Sequence, residues 1–199
     1  MMHHQGTVKI ETDRLILRRF TMEDADIMYR NWASDDEVTQ YLTWPTHADV
    51  NVTRSVIEGW IQNYANPDFY HWAIVLKAIE EPIGSLSVVK YDEKTASAAI
   101  GWCMGKRWWG QGIMPEAARA VLQYLFNEIG FNRIAAYHDK NNPKSGRVMQ
   151  KIGMLREGTL RSSGKNNQGI VDEVYYSILK EDYEKDHDQN IKLIWKIEK

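Results

Sequence analysis

One cysteine, Cys103, is present in 199 residues, so no disulfide can form within the chain. No apolar stretch approaches the roughly 18 residues that cross a bilayer, and the opening MMHHQGTVKI lacks the apolar core of a secretory signal. A cytoplasmic protein with no membrane partner is expected, and His3 and His4 are assigned no function. The six histidines include no His-x-x-x-His and no His-Cys grouping, so the expected metal content is none. Charge of one sign is not in excess either: 25 Lys and Arg face 27 Asp and Glu, a net charge of -2. The electrostatic footprint of a nonspecific nucleic-acid binder is therefore missing. Internal repeats and low-complexity linkers are also lacking.

What is present suffices for one compact core, with 43% hydrophobic residues. The expected division is a single domain over 1–183 and an extension over 184–199. Residues 14–20 (RLILRRF) read as a first strand. Thr21, with Asp24 three positions on, is placed to cap a helix running toward Ser34. Val52, Val56, Ile57, Trp60, Ile61 and Tyr64 recur at helical spacing over 50–64, a stripe expected to face the core. Residues 70–77, 83–91 and 97–104 are strand candidates separated by turn residues, which suggests an antiparallel meander. A helix is expected over 115–129, with Ala118, Val121, Leu122, Leu125 and Ile129 inward. A strand at 133–138, a short helix at 143–152 closed by Gly153, and a last strand at 173–180 follow. The fold class is mixed α/β. The apolar tail 191–197 is expected to pack on the domain or on a second copy.

The stretch KRWWGQGIMPEAARAVLQYLF (106–126) sets bulky aromatics and glycines at a helix entrance. There, unpaired backbone N–H groups and the positive end of the helix dipole favour an anion. Gly110 and Gly112 carry no Cβ to hold a phosphate away. An ordinary strand-to-helix turn would use the same glycines, so other nucleotide motifs matter. GQGIMP puts Pro115 where a dinucleotide fingerprint needs a small residue, and no acid lies about twenty positions on. GTLRSSGKNN (158–167) has one residue too many between its glycines for a Walker loop, and Asn166 stands where Ser or Thr would bind magnesium.

From Thr12 to Tyr183 the chain resembles the GNAT N-acetyltransferases, in particular the RimJ/RimL-like branch. TDRLILRRF (12–20) is similar to the family's opening strand. The segment 109–114 is similar to its Gln/Arg-x-x-Gly-x-Gly/Ala loop, with Trp109 in place of Gln/Arg and Met114 in place of Gly/Ala. A frame on Arg107 also fits the letters but shifts the loop two residues against the helix. NPKSGRVMQKIGMLREG (142–158) is similar to the family's Asn-x-x-Ser helix and following turn, and DEVYYSILKEDY (172–183) to its closing strand.

The resemblance implies a largely antiparallel mixed sheet splayed between its fourth and fifth strands, acetyl-CoA as donor, and a primary amine as acceptor attacking the thioester directly. It places the coenzyme diphosphate on the amides of Trp109, Gly110, Gln111, Gly112, Ile113 and Met114, and the pantetheine along Trp102, Cys103 and Met104. Asn142 would bond the pantetheine as well as cap its helix, and Ser145 would reach the sulfur. Tyr137 is the catalytic candidate on the strand after the long helix. At pH 7, deprotonating an α-amine costs about 1 kcal/mol and a lysine about 4.6 kcal/mol, so only a lysine demands a strong base. Residues 159–169 contain no acid, and Glu157, Asp172 and Glu173 read as structural or solvated. Cys103 reads as a packed thiol, and Arg14, Arg18 and Arg19 as a solvated strand face. Trp32, Trp44, Trp60 and Trp72 read as core or groove aromatics. The acceptor is a protein N-terminus or a small amine, and a homodimer is an open expectation. Two rival functions are a noncatalytic acyl-CoA sensor and a nucleotide-phosphate binder.

Overall fold

The computed structural model describes residues 2–189 and 197–198. Its strands are β1 (Lys9–Glu11), β2 (Leu15–Arg18), β3 (His71–Leu76), β4 (Glu81–Asp92), β5 (Ser97–Met104), β6 (Arg133–Asp139), β7 (Leu155–Asn166), β8 (Gly169–Leu179) and β9 (Ile197–Glu198). They form one sheet in the order β7-β8-β6-β5-β4-β3-β2-β1-β9. The helices are α1 (Asp24–Met28), α2 (Asp36–Thr39), α3 (Val50–Asn63), α4 (Ile113–Tyr124), α5 (Pro143–Lys151) and α6 (Lys180–Gln189). Single π turns extend α1 through Tyr29–Ala33 and α4 through Leu125–Ile129. None of the described helices is long and apolar enough to cross a membrane.

The β3-β4-β5 meander is antiparallel, as the turn residues predict. After β5 the chain crosses one sheet face through α4, so β6 returns parallel to β5. Their ladder joins only Ser97, Ala98 and Ala99 to Arg133, Ile134 and Ala135. Beyond it, β5 continues to Met104 and β6 to Asp139 without pairing to each other, which opens the sheet into a V. This is the expected splay, and counting β1 makes it lie between the fifth and sixth strands. One face of the sheet holds the main core, including Trp72, Leu86, Ile100, Ile134 and the inward side of α4. The other holds a smaller core of Phe20, Met28, Trp32, Ile57 and Ala73 under α1 and α3.

Several expectations change in detail. The long helix starts at Ile113, two residues early, because Gly112 at φ +74° supplies the entering turn. All five residues of its predicted stripe are buried, and Gly130 at φ +91° ends it. On α3, Ile57 and Tyr64 turn inward but Val52 and Ile61 face solvent. Asp24 reaches back to accept from the Thr21 amide at 2.9 Å, so the cap works in the reverse sense to that expected. Strands β1 and β7 were not foreseen. The first is short, and the second is a polar, exposed hairpin arm without an alternating apolar face. Helix α6 runs across the boundary expected at residue 183. Of the apolar tail, positions 191–196 lie outside the described residues, whereas Ile197 pairs with Ile10.

Candidate active site

The tryptophans at the helix entrance have separate tasks. Trp108 is buried beneath Gly105, where any Cβ would come within 2.6 Å of its ring. Trp109 packs against both cores, and its indole N–H donates to the Met104 carbonyl at 2.7 Å. Together they nail the loop to the end of β5. One main-chain acceptor of that strand is thereby used by the protein itself.

Between these anchors and α4, Gly110 and Gly112 adopt φ of +77° and +74°, a region that glycine enters without steric cost. Two left-handed residues turn the successive amides outward. Among the described residues, none accepts a hydrogen bond from the N–H of Gly110, Gln111, Gly112, Ile113 or Met114; the ladder begins only with Glu116 donating to Gly112. Five unsatisfied donors at a helix dipole's positive end form a cradle for an anion. Glu116 fixes its orientation by accepting from Thr12 Oγ1 at 2.6 Å, Arg14 N–H at 3.1 Å and Arg14 Nε at 2.6 Å. Arg14 also donates to the Gln111 carbonyl at 3.1 Å. Burial pushes the Glu116 carboxyl upward, but the Thr12 and Arg14 hydrogen bonds outweigh it and hold the pKa below the ordinary value. Arg14 is exposed, as expected, yet also braces the loop, and Arg18 is committed to Asp24 at 2.7 Å.

The cradle opens on a cavity of about 580 Å3 in the mouth of the V. Trp102, Cys103, Met104, Trp109, Gly110, Gly112, Ile113, Met114, Asn142 and Ser145 all line it. Gln111 does not, since its side chain folds back to donate to Arg107 O at 2.9 Å, leaving only its amide for a ligand. Asn142 precedes α5 but makes no side-chain cap bond, so the expected capping half of its role is not realised. Its carboxamide and the Ser145 hydroxyl have no hydrogen-bond partner among the described residues. Burial pushes the Cys103 thiol up to about 11, which keeps it protonated at neutral pH.

Tyr137 requires a correction. Side chains alternate along β6, and His138 lies against α5, with Nε2 2.6 Å from an ideal Cβ on Gly146. Tyr137 consequently faces the other side of the sheet, where it stacks on Tyr175 at 5.0 Å and lines a separate hollow of about 250 Å3. Burial, and then the Glu173 charge, raise its pKa. It is not a base facing the main cavity. The carboxylates set aside from the sequence are also engaged elsewhere: Glu157 with Arg133, Asp172 with Lys140, and Glu173 with Ser163.

The opposite wall was not legible. Glu37, Val38, Gln40, Tyr41 and Leu42 close the cavity, and Glu37 is the one carboxylate among the described residues that line it. It is paired with Lys106. The loop after α2 is pinned by the tip of the β7–β8 hairpin. Asn167 Nδ2 donates to Thr39 O at 2.9 Å and Trp44 O at 2.8 Å, and its amide donates to Leu42 O at 3.2 Å. Neighbouring Asn166 donates to Asp139 Oδ2 at 2.8 Å, and Asp139 Oδ1 accepts from the Asn141 amide at 2.8 Å. The tip therefore straps the Glu37 wall to the loop that leads into α5. Trp32 and Trp72 are core and Trp60 packs beside Phe20; Trp44 packs at a tilt against His47 and offers the strap only its carbonyl.

A family model for an acetyltransferase (GNAT) domain matches residues 14–155. A Bacillus licheniformis protein named "Uncharacterized N-acetyltransferase p20" is 31% identical over 86% of this chain and 96% of its own length. The "Putative ribosomal N-acetyltransferase YdaF" of Bacillus subtilis is 31% identical over 70% of this chain and 75% of its own. Among solved structures, an acetyltransferase of the GNAT family from Bacillus anthracis superimposes with a TM-score of 0.76 at 29% identity, covering 87% of this chain and 99% of that one.

Proposed function

The chain belongs to the GNAT acetyltransferase family and is an acetyl-CoA-dependent N-acetyltransferase, and we propose that its acceptor is the α-amine of a peptide or protein. The carrying observation is the run of five unpartnered amides at Gly110–Met114 opening on the cavity that also receives Asn142 and Ser145. Acetyl-CoA supplies an acetyl group activated as a thioester. The residues fit it: the amides offer converging donors for the diphosphate, and the absence of a Cβ at Gly112 leaves room for its close approach. Asn142 is available to orient the amide-bearing arm, and the unpaired edge of β5 runs beside it.

The Ser145 hydroxyl, one helical turn after Asn142, is free to hydrogen-bond the departing sulfur. The attacking amine must arrive neutral, and the cavity supports that only weakly. Among the described residues no histidine lines it, and the single carboxylate among them already pairs with Lys106. Such a site offers little driving force for deprotonating a lysine, about 2.5 pKa units above an α-amine. A water-borne proton transfer suffices for the α-amine. The similarity to a protein named as a ribosomal N-acetyltransferase supports the same class.

A coenzyme-release assay tests this with short peptides carrying a free α-amine, their Nα-blocked lysine counterparts, polyamines and aminoglycosides. The free α-amine peptides are expected to give amine-dependent thiol release, with Ser145→Ala lowering turnover more than donor affinity. Release with the blocked lysine peptides or polyamines alone would overturn the acceptor class. Donor binding without release for any amine would favour the noncatalytic sensor.

A further inference from the structure

The hollow on the far face of the sheet follows from side-chain size. Ala99 of β5 and Ala135 of β6 pair across the parallel ladder and form its floor, while Lys90, Arg133, Tyr137 and Tyr175 stand around it. Most polar groups there are already committed. Arg133 is neutralised by Glu157 at 2.6 Å, and the Tyr175 hydroxyl donates to Glu173 at 3.1 Å. Glu173 also accepts from Ser163 at 2.9 Å, and Asp92 on the rim accepts from the Lys94 amide at 2.8 Å. Two groups have no hydrogen-bond or ionic partner among the described residues: the Lys90 ammonium, 5.4 Å from the Tyr137 ring centre, and the Tyr137 hydroxyl. Lys90 is exposed and Tyr137 half-buried. Both are donors, whereas Asp92, Glu157 and Glu173 are all engaged. Two unmatched donors above an apolar floor suit a carboxylate on a short aliphatic stem.

The hollow is also connected to the reaction cavity. Successive strand side chains alternate between faces, so Cys103, Gly101, Ala99 and Ser97 share one face of β5. Cys103 lines the cavity, and Ala99 and Ser97 line the hollow. Gly101 keeps the surface between them level, and a Cβ there would meet Val89 Cγ1 at 3.1 Å. On β6, Tyr137 follows Ala135 on that face and flanks the same track. We propose that the hollow receives an acidic side chain of the acceptor polypeptide, about four residues beyond the α-amine that reacts, since Cys103 and Ala99 are about 13 Å apart along an extended strand. The inference rests on the acceptor being the α-amine of a peptide or protein. Its carboxylate takes the Lys90 ammonium and the Tyr137 hydroxyl, and its stem lies on Ala99 and Ala135. Lys90 and Tyr137 are accordingly specificity residues for the acceptor and do not touch the reacting atoms.

Steady-state kinetics of the full chain with acetyl-CoA test this on peptides with a free α-amine, in which a single Glu is moved one position at a time and compared with Gln. With the acid about four residues beyond the amine, KM is expected to be about fivefold lower than for the Gln peptide, with kcat unchanged, as for an exposed ion pair joined by a hydrogen bond. That preference should shrink as salt is raised. In Lys90→Gln the ratio should fall close to one while the Gln peptide keeps the kcat/KM of the parent, which also certifies folding. Tyr137→Phe, which keeps the ring against Tyr175, should lose part of the preference. Equal KM for Glu and Gln at every position, a preference of the same size wherever the acid stands, or an unchanged ratio in Lys90→Gln would overturn the proposal and leave the acceptor class intact. Absence of turnover with every free α-amine peptide would overturn the acceptor class and this inference with it.

Discussion

Arg14 and Glu116 meet across 102 residues of chain, with Nε donating to Oε2 at 2.6 Å, and the contact ties the first turn of α4 to the start of β2. The same carboxylate holds Thr12 and the Arg14 main chain, while Arg14 holds the Gln111 carbonyl. One acidic side chain thus fixes where the anion cradle points. Glu116→Ala should cost about 2 kcal/mol, in line with the loss of hydrogen bonds to a charged, partly enclosed group. The Glu116 pKa is depressed in the folded state, so its contribution is complete above the ordinary value of 4.5 and is lost as pH falls through the lower folded value. Melting curves of the parent and Glu116→Gln should therefore differ at pH 7 and converge at acid pH. A gap of constant size would contradict the brace.

Gly112→Val places a β-branched side chain at φ +74°, beside the exposed amides. The backbone cost is about 1–2 kcal/mol. The fold should survive, because the nearest atom to an added Cβ is Arg14 Nη2 at 3.7 Å. Acetyl-CoA affinity should fall well over tenfold in calorimetry, with the circular dichroism spectrum retained. Unaltered affinity would remove the loop from donor binding.

Cys103 tests the protonation argument. With its thiol pushed up to about 11 by burial, native protein at pH 7.5 should react with iodoacetamide about 100-fold or more slowly than a free thiol. Labelling at the free-thiol rate would show a thiolate in the cavity and reopen covalent catalysis.

Asn167 holds the Glu37 wall through its side-chain bonds to Thr39 and Trp44. Asn167→Ala should accelerate amide hydrogen exchange across residues 40–46 about tenfold or more, since local opening governs exchange there. Amides in the β4–β5 ladder should keep their protection. Unchanged exchange across residues 40–46 in the variant would mean that the strap contributes nothing to that wall.

The meander, the long helix and the glycine loop were legible because each follows local rules: turn residues between apolar runs, helical spacing in α4, and glycines before a helix. Tyr137 was misplaced for an equally local reason, since the phase of β6 relative to the cavity depends on where α5 packs. His138 against Gly146 settles that phase, and no spacing in the sequence announces it. The Glu37 wall and the Asn167 strap depend on contacts between segments more than 120 residues apart. Polar residues in such ties look like ordinary loop composition. Glu116 was visible as a letter next to the loop motif, but its role needed the Arg14 side chain, which a strand pattern alone sends to solvent.

The most direct test of the central claim is a crystal structure with acetyl-CoA bound. Diphosphate oxygens within about 3.2 Å of the amide nitrogens of Gly110 to Met114, and the thioester beside Ser145, are the predicted result. A diphosphate held by side chains elsewhere, with those amides facing only solvent, would contradict it.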